Sequence, residues 1–272
     1  MTTPIALTIA GSDSGGGAGI QADLKTFSAL GVYGASVIAA LTAQNTRGVF
    51  GIFDVAPEFI AAQMDAVYSD LAVDATKIGM LSRTEAIEAV AAGLDRHKAK
   101  NIVLDPVMVA ASGDLLLESS AIEALRRELI PRALVVTPNL PEAAALLGVP
   151  VASDEAAMEK QGKAILALGA KSALVKGGHA EGPQALDLLI DKEGVRKFTA
   201  RRIKSKNTHG TGCTLSSAIA AGLAKGLSLG EAVAMAKKFV TAAIEASDQL
   251  SVGKGHGPVH HFHALWKKSG SQ

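Results

Sequence analysis

The sequence predicts a three-layer α/β/α sandwich whose central sheet is mostly parallel with an antiparallel edge. Short apolar runs of strand length alternate with longer helical patterns along the chain. Strands this short and apolar are buried on both faces, which is typical of a parallel sheet covered by helices. Two later runs, at 185–190 and 195–199, are separated by Asp-Lys-Glu-Gly. They indicate a hairpin and therefore an antiparallel edge.

The individual elements follow from the same periodicity. The predicted strands before the hairpin are residues 5–10, 35–41, 75–78, 101–104, 134–136 and 173–175. The predicted helices are residues 18–30, 57–70, 83–97, 121–130, 154–168, 212–224 and 229–247. Capping-box patterns mark three helix starts, namely Ser82 with Glu85, Ser120 with Glu123, and Ser228 with Glu231. No linker or internal repeat divides the chain, so we expect a single domain over residues 1–272.

Composition excludes several classes of function. The chain has 272 residues, 48% of them apolar, which is enough for one large core. A net charge of +1 and the lack of a basic, aromatic-rich run argue against nucleic-acid binding. No apolar stretch is long enough to cross a bilayer. The first residues lack the basic region of a signal peptide, and Cys213 is the only cysteine. We therefore expect a cytoplasmic protein.

The most informative segment reads Thr-His-Gly-Thr-Gly-Cys over residues 208–213 and precedes a helix of small residues. Its glycines let the backbone approach a ligand closely. The free amides and the dipole of the helix N-terminus suit an anion, most often a phosphate. Cys213 falls in the first helical turn, where a thiolate is stabilised. We therefore predict a phosphoryl-transfer site in which Cys213 accepts a proton and the nearby backbone binds phosphate, through Thr208, Gly210, Thr211 and Gly212.

Four further loops follow predicted strands. They are the glycine-rich loop 11–19, residues 105–108 (Asp-Pro-Val-Met), 137–142 (Thr-Pro-Asn-Leu-Pro-Glu) and 176–179 (Lys-Gly-Gly-His). The first of them matches neither a Walker A loop nor the Rossmann glycine spacing. Each loop alone is equally well an ordinary connection. Because open α/β sheets bind ligands at the carboxyl ends of their strands, the four together predict one site.

Charged and polar residues in these loops suggest roles in phosphate chemistry. Lys176 could neutralise the charge of a transferring phosphoryl group. Asn139 and Glu142 lie three apart at a helix start, and their oxygens suit Mg²⁺ that also binds phosphate. The alternative interpretation is structural: the asparagine caps the helix and the glutamate lies in its first turn. We expect Asp105, Asn139 and Glu142 to hold Mg²⁺, and Lys176 and Asn139 to contact the nucleotide.

Two more motifs are specific, Gly-Ala-Gly-Ile-Gln-Ala-Asp at 17–23 and Thr-Ala-Gln-Asn-Thr at 42–46. Together with the motifs at 105–108, 137–142 and 208–213, they resemble the hydroxymethylpyrimidine/phosphomethylpyrimidine kinases of the ribokinase-like superfamily. The resemblance covers nearly the whole chain. Sugar kinases of that superfamily usually carry aspartate where this chain has Cys213.

This resemblance implies an activity and a homodimer. The activity is phosphorylation of 4-amino-5-hydroxymethyl-2-methylpyrimidine by ATP, and then of its monophosphate, for thiamine diphosphate synthesis. Gln44 is apt for an aminopyrimidine edge because its amide both donates and accepts hydrogen bonds. Met80 would pack on the flat ring. The family's pyrimidine contacts carry over to Gly11, Asp23, Gln44, Met80 and Val107.

Two other functions stay open at this point. A pyridoxal or pyridoxine kinase would use a similar ring with a hydroxymethyl arm. The other alternative is not an enzyme but a catalytically silent binding protein with the same fold. The anion loop, Lys176, Asn139 and Glu142 argue against it. Residues 110–117 are a candidate lid, because Ser-Gly-Asp interrupts an apolar run there.

Overall fold

One mixed sheet organises the protein. The computed structural model describes residues 2–108, 119–178 and 182–266, and the candidate lid at 110–117 lies outside them. Within the described residues the sheet has nine strands in the order β3-β2-β1-β4-β5-β6-β7-β8-β9. The strands are β1 (Ile5–Asp13), β2 (Tyr33–Asn45), β3 (Gly48–Asp54), β4 (Ala75–Ile78), β5 (Ile102–Leu104), β6 (Val135–Val136), β7 (Ser172–Lys176), β8 (Gln184–Asp191) and β9 (Gly194–Arg201).

The six central strands pair in parallel, from β2 through β1, β4, β5 and β6 to β7. Strand β3 pairs antiparallel with β2 at one edge, and the hairpin β8–β9 pairs antiparallel with β7 at the other. All the parallel strands therefore end at the same edge of the sheet. The predicted fold class, a mostly parallel sheet with an antiparallel edge between helices, is confirmed.

Helices cover both faces of the sheet. They are α1 (Gly19–Ala29), α2 (Pro57–Asp70), α3 (Thr84–Arg96), α4 (Ser119–Ala124), α5 (Leu140–Leu147), α6 (Glu155–Ala167), α7 (Thr211–Ala224) and α8 (Leu229–Glu245). Helix α4 continues into a π turn (Leu125–Leu129) and a 3-10 turn (Ile130–Arg132), and a second 3-10 turn (Ser247–Gln249) follows α8. No helix in the described ranges is both long and apolar enough to span a membrane.

Alternating strand residues feed two separate cores. Ala6 of β1 and Val103 of β5 pack with α1, α7 and α8, whereas Leu7 and Leu104 pack with α2, α3 and α6 on the opposite face. Such a two-sided burial explains why the central strands are almost continuously apolar. In the first of these cores, a Cβ on Gly222 of α7 would come within 2.8 Å of α8, so the two helices pack very closely.

Strand β3 was missed from the sequence. The prediction ended β2 at residue 41, but β2 runs on to Asn45 and turns back into β3. Most side chains of β3 are half-buried or exposed, including Phe50 and Phe53. Neither face of this edge strand is buried, and glycines interrupt its sequence. The apolar pattern by which a buried strand is recognised is therefore missing. The sheet therefore has antiparallel strands at both edges.

The three capping-box predictions had different outcomes. Ser228 and Glu231 form the predicted box at the start of α8. Ser82 with Glu85 is wrong, because Arg83 is the N-cap of α3 and the Ser82 hydroxyl instead donates to Asp54 at the end of β3. Ser120 is also not a cap, because α4 already begins at Ser119.

Candidate active site

A cavity of about 870 Å³ lies at the carboxyl ends of the parallel strands. The loops that follow β1, β5, β6 and β7 line it, together with the first turn of α7. The structure thus brings the separately predicted loops to one place. All the predicted site residues except Asp23 line this cavity, namely Gly11, Gln44, Met80, Asp105, Val107, Asn139, Glu142, Lys176, Thr208, Gly210, Thr211, Gly212 and Cys213.

The anion loop, residues 208–213, has the backbone geometry that its glycines predict. Gly210 is the N-cap of α7 with φ of +81°, and a Cβ there would collide with the Gly17 carbonyl oxygen. The amide and hydroxyl of Thr211 donate to the Thr208 carbonyl, at 3.2 and 2.7 Å. First-turn amides have no acceptor within their own helix. The amides of Gly212 and Cys213 are therefore the candidate donors to a bound anion.

A charged cluster lies beside this loop. The Lys176 ammonium is 3.0 Å from Asp105 Oδ1 and 3.9 Å from Glu142 Oε2. Asp105 is buried and also accepts hydrogen bonds from the hydroxyls of Thr137 and Ser216. A Cβ on the adjacent glycine of the anion loop, residue 212, would lie 3.4 Å from the lysine nitrogen. The absence of a side chain there keeps the space between the anion loop and the ammonium open.

Burial and mutual attraction set the ionisation of this cluster. Burial opposes the charge of Asp105, but the nearby Lys176 and Lys77 ammonium groups outweigh it and hold the pKa of that carboxyl below its usual value. Burial likewise opposes the charge on Lys176, and the two carboxylates outweigh it, so the pKa of Lys176 is raised. Burial raises the pKa of Glu142 to about 7, despite the attraction of Lys176.

Asn139 and Glu142 form a capping box at the start of α5. The Asn139 side chain accepts a 2.8 Å bond from the Glu142 amide, and Glu142 Oε2 accepts one of 2.8 Å from the Asn139 amide. Within the described residues no group of three or more His, Cys, Asp or Glu side chains could hold a metal ion. The donor set therefore fits Mg²⁺ only where phosphate oxygens and water supply most ligands. Glu142 Oε1, outside the capping box, and Asp105 are the protein oxygens suited to it.

We define the acceptor half of the cavity by four residues without charged side chains, Gly11, Gln44, Met80 and Val107. Met80 is buried in a small apolar cluster with Ala40, and Val107 packs against it. A Cβ on Gly11 would lie 3.2 Å from the Met80 sulfur, so this glycine leaves room for the methionine. Gln44 Oε1 accepts a hydrogen bond from the Thr42 hydroxyl, at 3.0 Å, which orients the amide.

Asp23 is not brought to the cavity surface. It is fully buried below the cavity, where both carboxylate oxygens bind the Lys77 ammonium at 2.8 and 3.0 Å. The hydroxyls of Thr8 and Ser217 donate to it as well, each at 2.6 Å. The ligand contact that the resemblance implies for Asp23 stays a prediction. Lys77, which does line the cavity, was missed, although a lysine inside an apolar strand was a visible signal.

The expected stabilisation of a Cys213 thiolate is wrong. Cys213 is half-buried in the first turn of α7, and burial raises the pKa of its thiol to about 11. The Lys77 ammonium opposes this effect, whereas Asp23 and Asp105 reinforce it. Loss of hydration outweighs the helix N-terminus here. A thiol with this pKa is protonated at neutral pH.

Asp13 and His209 were not among the site residues predicted from the sequence. His209 Nε2 lies 2.9 Å from Asp13 Oδ2, and both side chains are buried at the cavity wall. Asp13 ends β1, and His209 belongs to the anion loop, so their contact joins two loops that are far apart in sequence. No motif of the sequence pairs them.

Uncharged residues suited to a flat ring, an anion loop and a lysine in one cavity of such an α/β sandwich are typical of a small-molecule kinase. Residues 13–260 match the family model described as phosphomethylpyrimidine kinase. The chain belongs to this family and has its ribokinase-like fold. It is therefore a kinase of thiamine biosynthesis.

Three similar proteins illustrate the relationship. A hydroxymethylpyrimidine/phosphomethylpyrimidine kinase of Rhizobium meliloti is 63% identical over 97% of this chain and 99% of its own. The solved ADP complex of Bacillus subtilis pyridoxal kinase superimposes with a TM-score of 0.90 at 38% identity, covering 98% of this chain and 100% of that one. The phosphomethylpyrimidine kinase of Clostridium difficile gives 0.79 at 46% identity, over 88% and 99% of the two chains.

Proposed function

We propose that the protein transfers the γ-phosphoryl group of ATP to 4-amino-5-hydroxymethyl-2-methylpyrimidine and then phosphorylates the monophosphate to the diphosphate. The observation that supports this most directly is the position of the uncharged acceptor half beside the anion loop and Lys176 in one cavity. The high identity to a curated kinase named for both steps supports the substrates. The nucleotide is inferred from the similar pyridoxal kinase that binds ADP.

In the proposed reaction a bond forms between the substrate hydroxymethyl oxygen and the γ-phosphorus, while the bond to the ADP oxygen breaks. The amides of Gly212 and Cys213 and the Lys176 ammonium stabilise the charge of the moving group. Gln44 orients the aminopyrimidine edge and Met80 packs on its ring. Bound Mg²⁺, held by Glu142 and Asp105, would supply additional positive charge to the ATP phosphates.

Cys213 is the proposed proton acceptor, and this role requires its thiolate. With a pKa of about 11, roughly one thiol in 10⁴ is ionised at pH 7. Lys77 is the cation that favours the thiolate, and its own charge is held by Asp23. Positioning and electrostatics carry most of the rate in phosphoryl transfer, so a sparsely ionised base remains compatible with turnover.

Pyridoxine is the second candidate acceptor. The close superposition on a pyridoxal kinase favours it, since that fold accommodates a related ring with a hydroxymethyl arm. Gln44 favours the aminopyrimidine, whose exocyclic amine and ring nitrogen pair with the amide oxygen and nitrogen.

A coupled ATP-consumption assay tests the proposal with hydroxymethylpyrimidine, its monophosphate and pyridoxine side by side. We expect turnover of both pyrimidines and poor use of pyridoxine. The Lys176→Ala protein, prepared identically, is the control for a contaminating kinase. Pyridoxine as the best substrate would overturn the substrate assignment while keeping the kinase chemistry. No turnover with any of the three acceptors would favour a silent binding protein.

The homodimer implied by family resemblance is proposed to form through the β3 edge. Phe50 and Phe53 of β3 and Phe59 of α2 are 70%, 71% and 62% exposed. An open strand edge with exposed aromatic side chains is a surface that a second copy of this chain would cover. A Phe53→Lys variant should elute as a monomer in size-exclusion chromatography, and an unchanged mass would contradict this interface.

We also propose that the protein is cytoplasmic.

A further inference from the structure

His209 is the point at which three segments of the chain meet. Its amide donates to the Gly257 carbonyl at 3.1 Å, and its carbonyl accepts from the Val259 amide at 3.3 Å. Its ring bonds Asp13 of the glycine-rich loop. The anion loop is thus held on one side by the C-terminal segment and on the other by the loop that follows β1.

Both oxygens of the Asp13 carboxylate accept hydrogen bonds from the protein itself. Its Oδ1 accepts the Gly15 amide at 2.8 Å, and its Oδ2 accepts the amides of Gly17 and Ala18 at 3.0 and 2.8 Å as well as His209. Three of these four donors share Oδ2, and the fourth is on Oδ1. Asp13 therefore holds the surrounding backbone and the His209 ring in place.

The ionisation of Asp13 determines which partner donates the hydrogen bond. Burial would raise the pKa of Asp13, but the hydrogen bonds from His209 and from backbone amides outweigh burial and lower it. Asp13 is then ionised and can only accept, so His209 Nε2 carries the hydrogen and donates it.

Close packing makes the two loops move together. A Cβ on Gly17 would collide with the His209 ring, and a Cβ on Gly210 would collide with the Gly17 carbonyl oxygen. The glycine-rich loop and the anion loop therefore touch with no intervening space. A shift of the His209 ring would displace the backbone on which the phosphate amides lie.

The C-terminal segment extends this connection to the acceptor half. The Thr46 hydroxyl accepts the amides of Lys254 and Gly255 at 3.3 and 3.1 Å, and the Thr46 carbonyl accepts the His256 amide at 2.8 Å. Thr46 lies two residues beyond Gln44, so residues 254–259 join the strand that carries the acceptor contact to the loop that binds phosphate.

We propose that the Asp13–His209 pair positions the anion loop relative to the acceptor half, and so sets the distance between the acceptor hydroxyl and the phosphoryl group. Asp13 and His209 are positioning residues that touch neither reactant in this scheme. The inference rests on the proposed kinase function. A displacement of about 1 Å between reactants can cost about 10²-fold in rate.

The experiment compares His209→Gln with His209→Asn. The Gln amide nitrogen can reach the place of ring Nε2, whereas the shorter Asn cannot. We expect His209→Asn to lower kcat about 10- to 100-fold while the pyrimidine Kd, measured without nucleotide, changes less than about threefold. His209→Gln should keep kcat within about threefold. His256→Asn, which alters an exposed histidine of the same segment, is the matched control.

The diagnostic readout is coupling, measured as ADP formed per phosphorylated acceptor. In the uncoupled reaction water takes the phosphoryl group, so ATP and water give ADP and phosphate. We expect a ratio near one for the wild type, His209→Gln and His256→Asn, and a higher ratio for His209→Asn. A purely structural role would lower the melting temperature and leave this ratio unchanged.

Three results would overturn the inference: a normal kcat in His209→Asn, equal loss in His209→Gln, or slow turnover with normal coupling. If His209→Asn does not fold, Thr46→Val loosens the same connection from its other end and should raise the ratio too. A wild-type protein that phosphorylates pyridoxine alone would refute the pyrimidine assignment, and the coupling ratio would then be measured with pyridoxine.

Discussion

The two halves of the cavity are built differently. The acceptor half consists of uncharged groups at the ends of β1 and β2 and after β4 and β5, among them Gln44 and Met80. The phosphate half contains Lys176, Asp105 and Glu142 beside the anion loop. One half therefore recognises its ligand by shape and hydrogen bonds, while the other acts through charge. Substitutions should therefore raise KM in the first half and lower kcat in the second.

Cys213 lies in the phosphate half, and its removal should have the largest effect. General-base catalysis typically contributes roughly 10²–10⁴-fold, so Cys213→Ala should lower kcat within that range. KM for the pyrimidine should stay nearly constant. Steady-state kinetics at saturating ATP would measure both. An unchanged kcat would remove Cys213 from the catalytic groups and leave the phosphate half to work by positioning alone.

The pH profile gives a second test of the same residue. Because burial raises the thiol pKa to about 11, the thiolate fraction grows about tenfold per pH unit between pH 7 and 9. If the thiolate is the base, kcat should also rise about tenfold per pH unit over this interval. Cys213→Asp is the matched control, since a carboxyl group is already ionised there and its profile should show only the titration of Glu142, whose pKa is about 7. Equal profiles for the two proteins would exclude the thiolate.

Lys176 should have the next largest effect. Its ammonium neutralises two buried carboxylates and faces the anion loop. Removing one donor that stabilises charge in a transition state typically lowers kcat by about 10²–10³-fold. We expect a loss of this size for Lys176→Ala, with little change in the KM for the pyrimidine. Lys176→Arg retains the charge and is the control for simple electrostatic loss. A change confined to pyrimidine affinity would contradict the division of the cavity.

Gln44 tests the acceptor half. Gln44→Leu keeps a similar volume but removes the amide, and a lost neutral hydrogen bond costs about 0.5–1.5 kcal/mol. We expect KM for the pyrimidine to rise about 3- to 10-fold while kcat at saturation is nearly unchanged. Pyridoxine phosphorylation, followed in the same assay, should be less affected. A loss of kcat without a change in KM would show that the halves are not separable.

The backbone geometry of the anion loop could be predicted from the sequence, whereas contacts between distant segments could not. The anion loop could be recognised because two glycines before a small-residue helix already determine where amides point. The burial of Asp23 could not be predicted, because its position near the start of α1 does not reveal which face meets the sheet, where Lys77 pairs with it. The contact between Asp13 and His209 joins residues 196 positions apart, and only the folded chain brings them together.

The same limit applies to ionisation. Local position in the first turn of α7 suggested a low pKa for Cys213, because helix N-termini favour thiolates. The pKa is raised mainly by burial, and the charges that modify it lie on distant segments: Lys77 of β4 lowers it, whereas Asp105 after β5 raises it. The fold class and most of the strands depend on local periodicity and could be predicted. Burial at the site depends on tertiary packing and could not.

The smallest expected effect concerns a single methyl group in the acceptor half. A Cβ on Gly11 would lie 3.2 Å from the Met80 sulfur, so Gly11→Ala forces the flexible methionine to shift by a few tenths of an ångström. KM for the pyrimidine should rise about two- to fivefold, because the displaced thioether packs less well on the ring. Gly51→Ala is the control, since its Cβ would make only an ordinary 3.8 Å contact with Ala43. A fall in kcat in Gly11→Ala would mean that even this neutral wall positions the reacting hydroxyl, and the two halves would then act as one.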